Sequence, residues 1–150
     1  MRTFEGVDAL RSAVGTHLGY SDWHLVTQAQ IDQFADATGD HQWIHVDRAA
    51  AAEGPFGTTV AHGYLTLALV PKLVWEIYEV TGLKMGVNYG ADRLRFPSPL
   101  PVDSVVRAGV ALLSVTPGTH GDLVASRVTI EQEGRQKPAC VVDTLSLLVS

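Results

Sequence analysis

The sequence predicts an α+β fold, with a curved antiparallel sheet packed on one long buried helix. Three observations carry that prediction. Helical patterns fill the first half of the chain and strand patterns the second, a segregation that belongs to α+β architectures. The run Leu65, Leu67, Ala68, Leu69, Val70, Leu73, Val74, Trp75 and Ile77 is apolar on nearly all sides at helical spacing, which places it in a core. After Gly82 come long segments rich in Val, Leu and Thr, separated by proline and glycine clusters.

The elements follow in order. Val7, Leu10, Val14 and Leu18 share one face of a weak helical pattern from Val7 to Leu18. A short strand is expected over Trp23 to Val26. Thr27 is a good N-cap for a helix carrying Ile31, Phe34, Ala35 and Thr38, and Gln30 at its third position fits a capping box. Gly39 ends that helix, because glycine takes the left-handed conformation without steric cost. Asp47 caps a short helix from Arg48 to Glu53, closed by the Gly54-Pro55-Phe56-Gly57 turn. The long helix runs from Tyr64 to Thr81, with a kink expected at Pro71. Met85–Phe96, Ser104–Thr116, Leu123–Glu133 and Ala139–Val149 then form an antiparallel meander. Such a sheet leaves edges, so pairing with a second copy, a homodimer, is expected.

A chain of 150 residues suits one domain, 1–150. At that length roughly 70% of the unfolded surface can be buried without staples. Apolar residues make up 46% and charged residues 18%, a foldable composition. Eleven Lys and Arg against sixteen Asp and Glu give a net charge of −5, which argues against nucleic acid or an anionic membrane as partner. Cys140 is the one cysteine, so an internal disulfide and a cysteine-based zinc site are both excluded. The first residues lack a signal-peptide pattern, and Pro71, Lys72 and Glu76 break the longest apolar stretch. A cytoplasmic protein is the expectation.

The chemistry-bearing residues cluster. His41, His45 and His62 fall close together in sequence, beside Asp40 and Asp47. Asp40 follows a helix-ending glycine, in a loop where its carboxylate can face a cleft or make a local turn bond. His45, between Ile44 and Val46, reads either as a hydrogen-bonded core histidine or as an imidazole aimed at that cleft. An Asp and a His converging on one point can hold a water, and imidazole exchanges protons near neutral pH. The pair therefore suits adding or removing water beside a carbonyl. Gly63, at the start of the apolar helix, offers a backbone N–H for an enolate oxygen. His62 reads as a helix cap or as a residue behind the site. His41 and His45 are four apart, but Gly39 argues against a continuous helix that would align them on a metal, so no metal is expected. Arg93, Arg95, Arg107 and Lys72 read as surface charge or as phosphate contacts.

Taken together these residues resemble the MaoC-like dehydratases, the (R)-specific enoyl-CoA hydratases with a single hot-dog fold. The family motif runs aromatic, small residues, Gly-Asp, any residue, Asn-Pro, aliphatic, His. Here it stands as Phe34…Thr38-Gly39-Asp40-His41-Gln42-Trp43-Ile44-His45, with Ala61-His62-Gly63 and Arg95-Phe96-Pro97 downstream. The resemblance extends from Val26 to Ser150. Gln42-Trp43 replaces Asn-Pro and, with Asn88-Tyr89-Gly90, is similar to a subgroup of mycobacterial single-hot-dog hydratases and nodulation-protein-N relatives.

The resemblance implies a curved sheet wrapped around one long buried helix. It implies Asp40 and His45 as a catalytic dyad that activates water for reversible hydration of trans-2-enoyl-CoA to (R)-3-hydroxyacyl-CoA. It implies Gly63 as the oxyanion donor, and Gln42, Trp43, His62 and Asn88 as substrate-binding residues. The substrate is a CoA or acyl-carrier-protein thioester, no cofactor is implied, and the site lies near a dimer interface. A CoA carrier further implies basic residues at the cleft mouth. Two other functions fit a hot-dog protein, acyl-CoA hydrolysis and acyl binding without turnover.

Overall fold

The computed structural model describes residues 1–150. Its elements, in chain order, are β1 (Arg2–Glu5), α1 (Gly6–Arg11), β2 (His17–Tyr20), β3 (His24–Leu25), α2 (Gln28–Thr38), α3 (Trp43–Val46), α4 (Arg48–Ala52), α5 (Gly63–Ala68), α6 (Val70–Trp75), β4 (Tyr78–Thr81), β5 (Met85–Arg95), β6 (Val105–Gly118), β7 (Gly121–Gln132) and β8 (Cys140–Val149). The large sheet has the order β2-β6-β7-β8-β5, with β3 also on β6. All its pairings are antiparallel. One face is the core: Val106, Ala108, Val110 and Leu112 of β6 alternate inward, as do Val124, Val128 and Ile130 of β7. They close on Leu65, Leu69, Val70 and Leu73 of the helical layer, a hot-dog arrangement. Burying each such Val, Leu or Ile side chain contributes about 1.5–3 kcal/mol.

The structure departs from the sequence expectations in four places. The helix expected over Val7 to Leu18 stops at Arg11, and Leu18 is instead the buried residue of β2. The long helix of Tyr64 to Thr81 is two short helices, α5 and α6. Pro71 has no N–H to continue the hydrogen-bond ladder, so the rod is interrupted around Leu69, which itself keeps helical backbone angles and its bonds to Leu65 and Leu73. Its expected last turn is the strand β4, which pairs in parallel with β1. Nor is the rod buried all round, since Tyr64 and Trp75 are 69% and 72% exposed.

Third, the strands do not form a simple meander. β5 lies against β8 rather than β6, leaving β5 on the sheet edge. Finally, Thr27 caps α2 as expected, its hydroxyl accepting from the Gln30 N–H at 3.2 Å, but the reciprocal half of the capping box is missing. The Gln30 side-chain carbonyl lies instead 3.1 Å from His24 Nε2. No helix is long and apolar enough to cross a membrane.

Candidate active site

The site is assembled by the connection between α2 and α5. Gly39 ends α2 with φ of 79° and turns the chain toward Asp40. The exposed Asp40 carboxylate accepts the Gln42 N–H at 3.4 Å, so the local turn bond and the open face coexist on one side chain. Gln42 then leads into the single turn α3, whose residue His45 is 7% exposed.

Two hydrogen bonds tie His45 to neighbouring segments, and two more brace the groups that make them. Its Nδ1 lies 2.6 Å from the Val60 carbonyl, so Nδ1 carries the proton and donates it. Its own carbonyl accepts from Gln28 Nε2 at 2.8 Å, and Thr59 Oγ1 donates to Gln28 Oε1 at 2.5 Å. The Ile44 carbonyl accepts from the Val60 N–H at 3.0 Å. Nε2 has no hydrogen bond within the chain and, with the proton on Nδ1, keeps a free lone pair. Burial pushes the His45 pKa below its ordinary value of 6.5; the Val60 bond opposes that, His62 adds to it, and Asp40 opposes it. His45 is therefore a neutral imidazole at neutral pH with its acceptor nitrogen free.

His62 joins the two candidate catalytic residues. Its ring stacks on His45 with centroids 3.8 Å apart and planes at 23°. Its Nε2 donates to the Asp40 backbone carbonyl at 2.9 Å, and Phe34 backs its other side at 5.0 Å. Nδ1 is buried without a partner. The polar atoms of Asp40, His45 and His62 all lie within 4.8 Å of one another, a spacing a metal could use. The ring geometry opposes it. Nitrogen lone pairs lie in the ring planes, and two nearly parallel rings cannot aim theirs at one ion about 2.0–2.1 Å from each. His41 turns away to Asp36, at 2.9 Å.

Gly63 opens α5 next to His62, where the first-turn N–H groups have no helical acceptor. A Cβ on Gly63 would stand 2.9 Å from the Phe96 ring, so only glycine permits this approach. The sequence expectation thus brings Asp40, His45, His62 and Gly63 together. Trp43 and Asn88 are elsewhere. The Trp43 ring lies over the Gly54 backbone, where an added Cβ would come within 2.8 Å of it. Asn88 lines a cavity between α6 and the sheet. Gln28 and Thr59 were not expected, and nothing in a single sequence marks two ordinary polar residues, 31 positions apart, as partners.

Five of the eleven Lys and Arg side chains are neutralised locally, Arg11 by Asp8 and Asp122 among them. Arg93 and Arg127 share the Asp143 carboxylate, Arg107 pairs with Glu131, and Lys72 with Glu76. Arg95 forms no ion pair, and it directly precedes the Phe96 that packs on Gly63. Lys137 is likewise unpaired, in the turn whose carbonyls accept from Ser98 Oγ.

A family model described as a MaoC like domain matches residues 9–134. The 3-hydroxyacyl-thioester dehydratase Z of Mycobacterium tuberculosis is 52% identical over 146 residues, 97% of each chain. Nodulation protein N of Rhizobium leguminosarum bv. viciae is 41% identical over 140 residues, covering 91% of this chain and 87% of its own length. Among solved structures, the (R)-hydratase from A. caviae involved in PHA biosynthesis shares the fold, with a TM-score of 0.74 over 90% of this chain and 96% of that one at 22% identity.

Proposed function

The chain belongs to the MaoC-like dehydratase family, and on that premise we propose that it interconverts (R)-3-hydroxyacyl thioesters and trans-2-enoyl thioesters, with CoA as the carrier. The observation that carries the reading is the neutral His45, anchored at Nδ1 and open at Nε2 beside the Asp40 carboxylate.

In the hydration direction, one water sits between the Asp40 carboxylate and His45 Nε2. Nε2 takes a proton as the water oxygen adds to C3, and the electron pair of the double bond moves toward the thioester carbonyl. The Gly63 N–H supports the oxygen that gains charge. The proton on Nε2 then passes to C2, so H and OH are both added and the dyad ends as it began. A rigid, buried His45 suits this role, because general acid–base catalysis depends on placing the proton acceptor at hydrogen-bond distance. Arg95 and Lys137 are among the cations without an ion pair and would meet the phosphates of the carrier.

The working form is a homodimer in this reading. β5 is eleven residues long, every residue but Leu94 is exposed, and its outer edge is unpaired. Met85, Val87 and Tyr89 are among those exposed, with none of the lysines or prolines that protect free edges.

The test is hydration of crotonyl-CoA, followed at the enoyl absorbance with chiral analysis of the product. We expect the (R)-alcohol, and a fall of about 10² to 10⁴ in rate for Asp40→Asn. Release of free thiol without hydration would identify a thioesterase instead, and binding without turnover an acyl-binding module. An (S)-product or an unaffected Asp40→Asn rate would overturn the reading.

A further inference from the structure

Strand β5 reaches the site through a bulge. Its register runs Asp92 opposite Asp143 and then Arg95 opposite Val141, so Arg93 and Leu94 together face Val142 alone. Side chains alternate along a strand, and Asp143 follows the core residue Val142, so Asp92 and Asp143 share the face of the sheet away from the core. In an unbroken strand Leu94 and Phe96 would join them on that face. The extra residue reverses this. Leu94 packs on the core, and Phe96 turns to α5, where its ring would stand 2.9 Å from a Cβ on Gly63.

The bulge uses an unfavourable residue. Arg93 has φ of 50°, in the left-handed region where a Cβ crowds the following carbonyl. A bulge with a left-handed first residue usually has glycine there. Here polar contacts hold an arginine in it. Arg93 Nε and Nη2 lie 2.8 and 2.6 Å from Asp143 Oδ2, and the Arg93 carbonyl accepts from Arg95 Nη1 at 3.2 Å. Asp143 is itself fixed: Arg127 donates from Nε and Nη2 to its two oxygens at 2.7 and 2.9 Å. The Arg127 bonds first, and those of Arg93 with them, hold the Asp143 carboxyl below the usual carboxylate range although burial opposes them. The carboxylate is 3% exposed, so this anchor is shielded from water.

We propose that Arg93 is a positioning residue: clamped on Asp143 in the left-handed bulge, it sets the Phe96 ring against Gly63 and thereby fixes the first turn of α5. That turn carries the N–H directed at the thioester oxygen. The side chain of Arg93 lies on the far face of the sheet and touches no reacting group, so it acts only through the path of β5. The effect on rate rests on the dehydratase reading, whereas the contact between Phe96 and Gly63 is measurable without turnover.

The experiment compares Arg93→Ala with Arg93→Gly. Both lose the clamp, but only alanine keeps the steric cost of the left-handed backbone. For hydration of crotonyl-CoA, kcat should fall about tenfold in Arg93→Ala, the size of that cost, and should stay within about twofold of wild type in Arg93→Gly. A role in strand stability alone predicts the opposite order, because glycine weakens a strand more than alanine does. The ring current of Phe96 displaces the Gly63 resonances, so NMR reads the contact directly. Those resonances should move toward their Phe96→Leu values in Arg93→Ala and keep their wild-type positions in Arg93→Gly. The proposal is overturned if Arg93→Ala leaves kcat or the Gly63 resonances unchanged, or if Arg93→Gly falls as far as Arg93→Ala. If wild type does not hydrate crotonyl-CoA, the dehydratase reading fails, and the Gly63 resonances decide the role of Arg93 by themselves.

Discussion

The imidazoles of His45 and His62 stack with centroids 3.8 Å apart, and one nitrogen of each, Nδ1 of His45 and Nε2 of His62, donates to a backbone carbonyl, Val60 for one and Asp40 for the other. His62 thereby fixes the ring of one candidate catalytic residue and the main chain of the other. His62→Phe keeps a flat ring in the stack and loses the bond to Asp40 together with the imidazole's electrostatic effect on His45. We expect kcat to fall about tenfold, the value of one lost hydrogen bond at a reacting group. His62 also helps to hold the His45 pKa down, so the acidic limb of the pH–rate profile should move to higher pH in this variant. A purely structural role would leave that limb in place.

The same shift sets the pH dependence of the wild type. His45 is depressed below 6.5, so the acidic limb of kcat/KM should have its midpoint under that value. The unfolded chain binds a proton at His45 that the folded chain refuses. Stability should therefore fall as pH drops through 6.5 toward the folded-state value. Steady-state kinetics and thermal melts over the same buffers check both statements.

Gly63→Ala tests the contact with Phe96. The new methyl would stand 2.9 Å from the ring, and the half-exposed Phe96 can swing outward. Melting temperature should change little. Activity should drop on the order of 10²-fold, since the displaced ring and the methyl crowd the thioester side of the site.

Gln28→Ala should act mainly through stability. It leaves the His45 carbonyl and the Thr59 hydroxyl, both buried, without their partner. The expected loss is about 1–3 kcal/mol, read from denaturant midpoints. Residual enzyme should show a lower kcat, because the α3 turn that carries His45 loses its tie to α2.

Arg95→Gln addresses the carrier. If the free guanidinium meets CoA phosphates, KM for crotonyl-CoA should rise about fivefold with kcat unchanged, and the difference should shrink as salt is added. An unchanged KM would remove Arg95 from the phosphate contacts.

The local signals in the chain were legible where one residue decides the conformation. Thr27, Gly39 and Asp47 cap their helices as their side chains and backbone freedom dictate. The strand segments from Met85 to Val149 are found within a few residues of their expected limits. The Tyr64 to Thr81 helix was misjudged because apolar residues continue through Pro71 into β4. Periodicity there registers burial, and only the pairing of β4 with β1 reveals that Tyr78–Thr81 is extended. The neighbour of β5 was equally hidden, since backbone hydrogen bonds carry no sequence label.

The site divides in the same way. The sequence by itself indicated the fold class, and its resemblance to the MaoC-like dehydratases singled out Asp40, His45, His62 and Gly63 as the candidate set. Only the tertiary structure decided which nitrogen of His45 is free, that His62 ties both candidate catalytic residues together, and that Gln28 and Thr59 support them. It also moved Trp43 onto Gly54 and Asn88 into a separate cavity. The physical reason is that a residue's chemistry is local, whereas its hydrogen-bond partner, its burial and hence its proton affinity are set by atoms brought from distant parts of the chain.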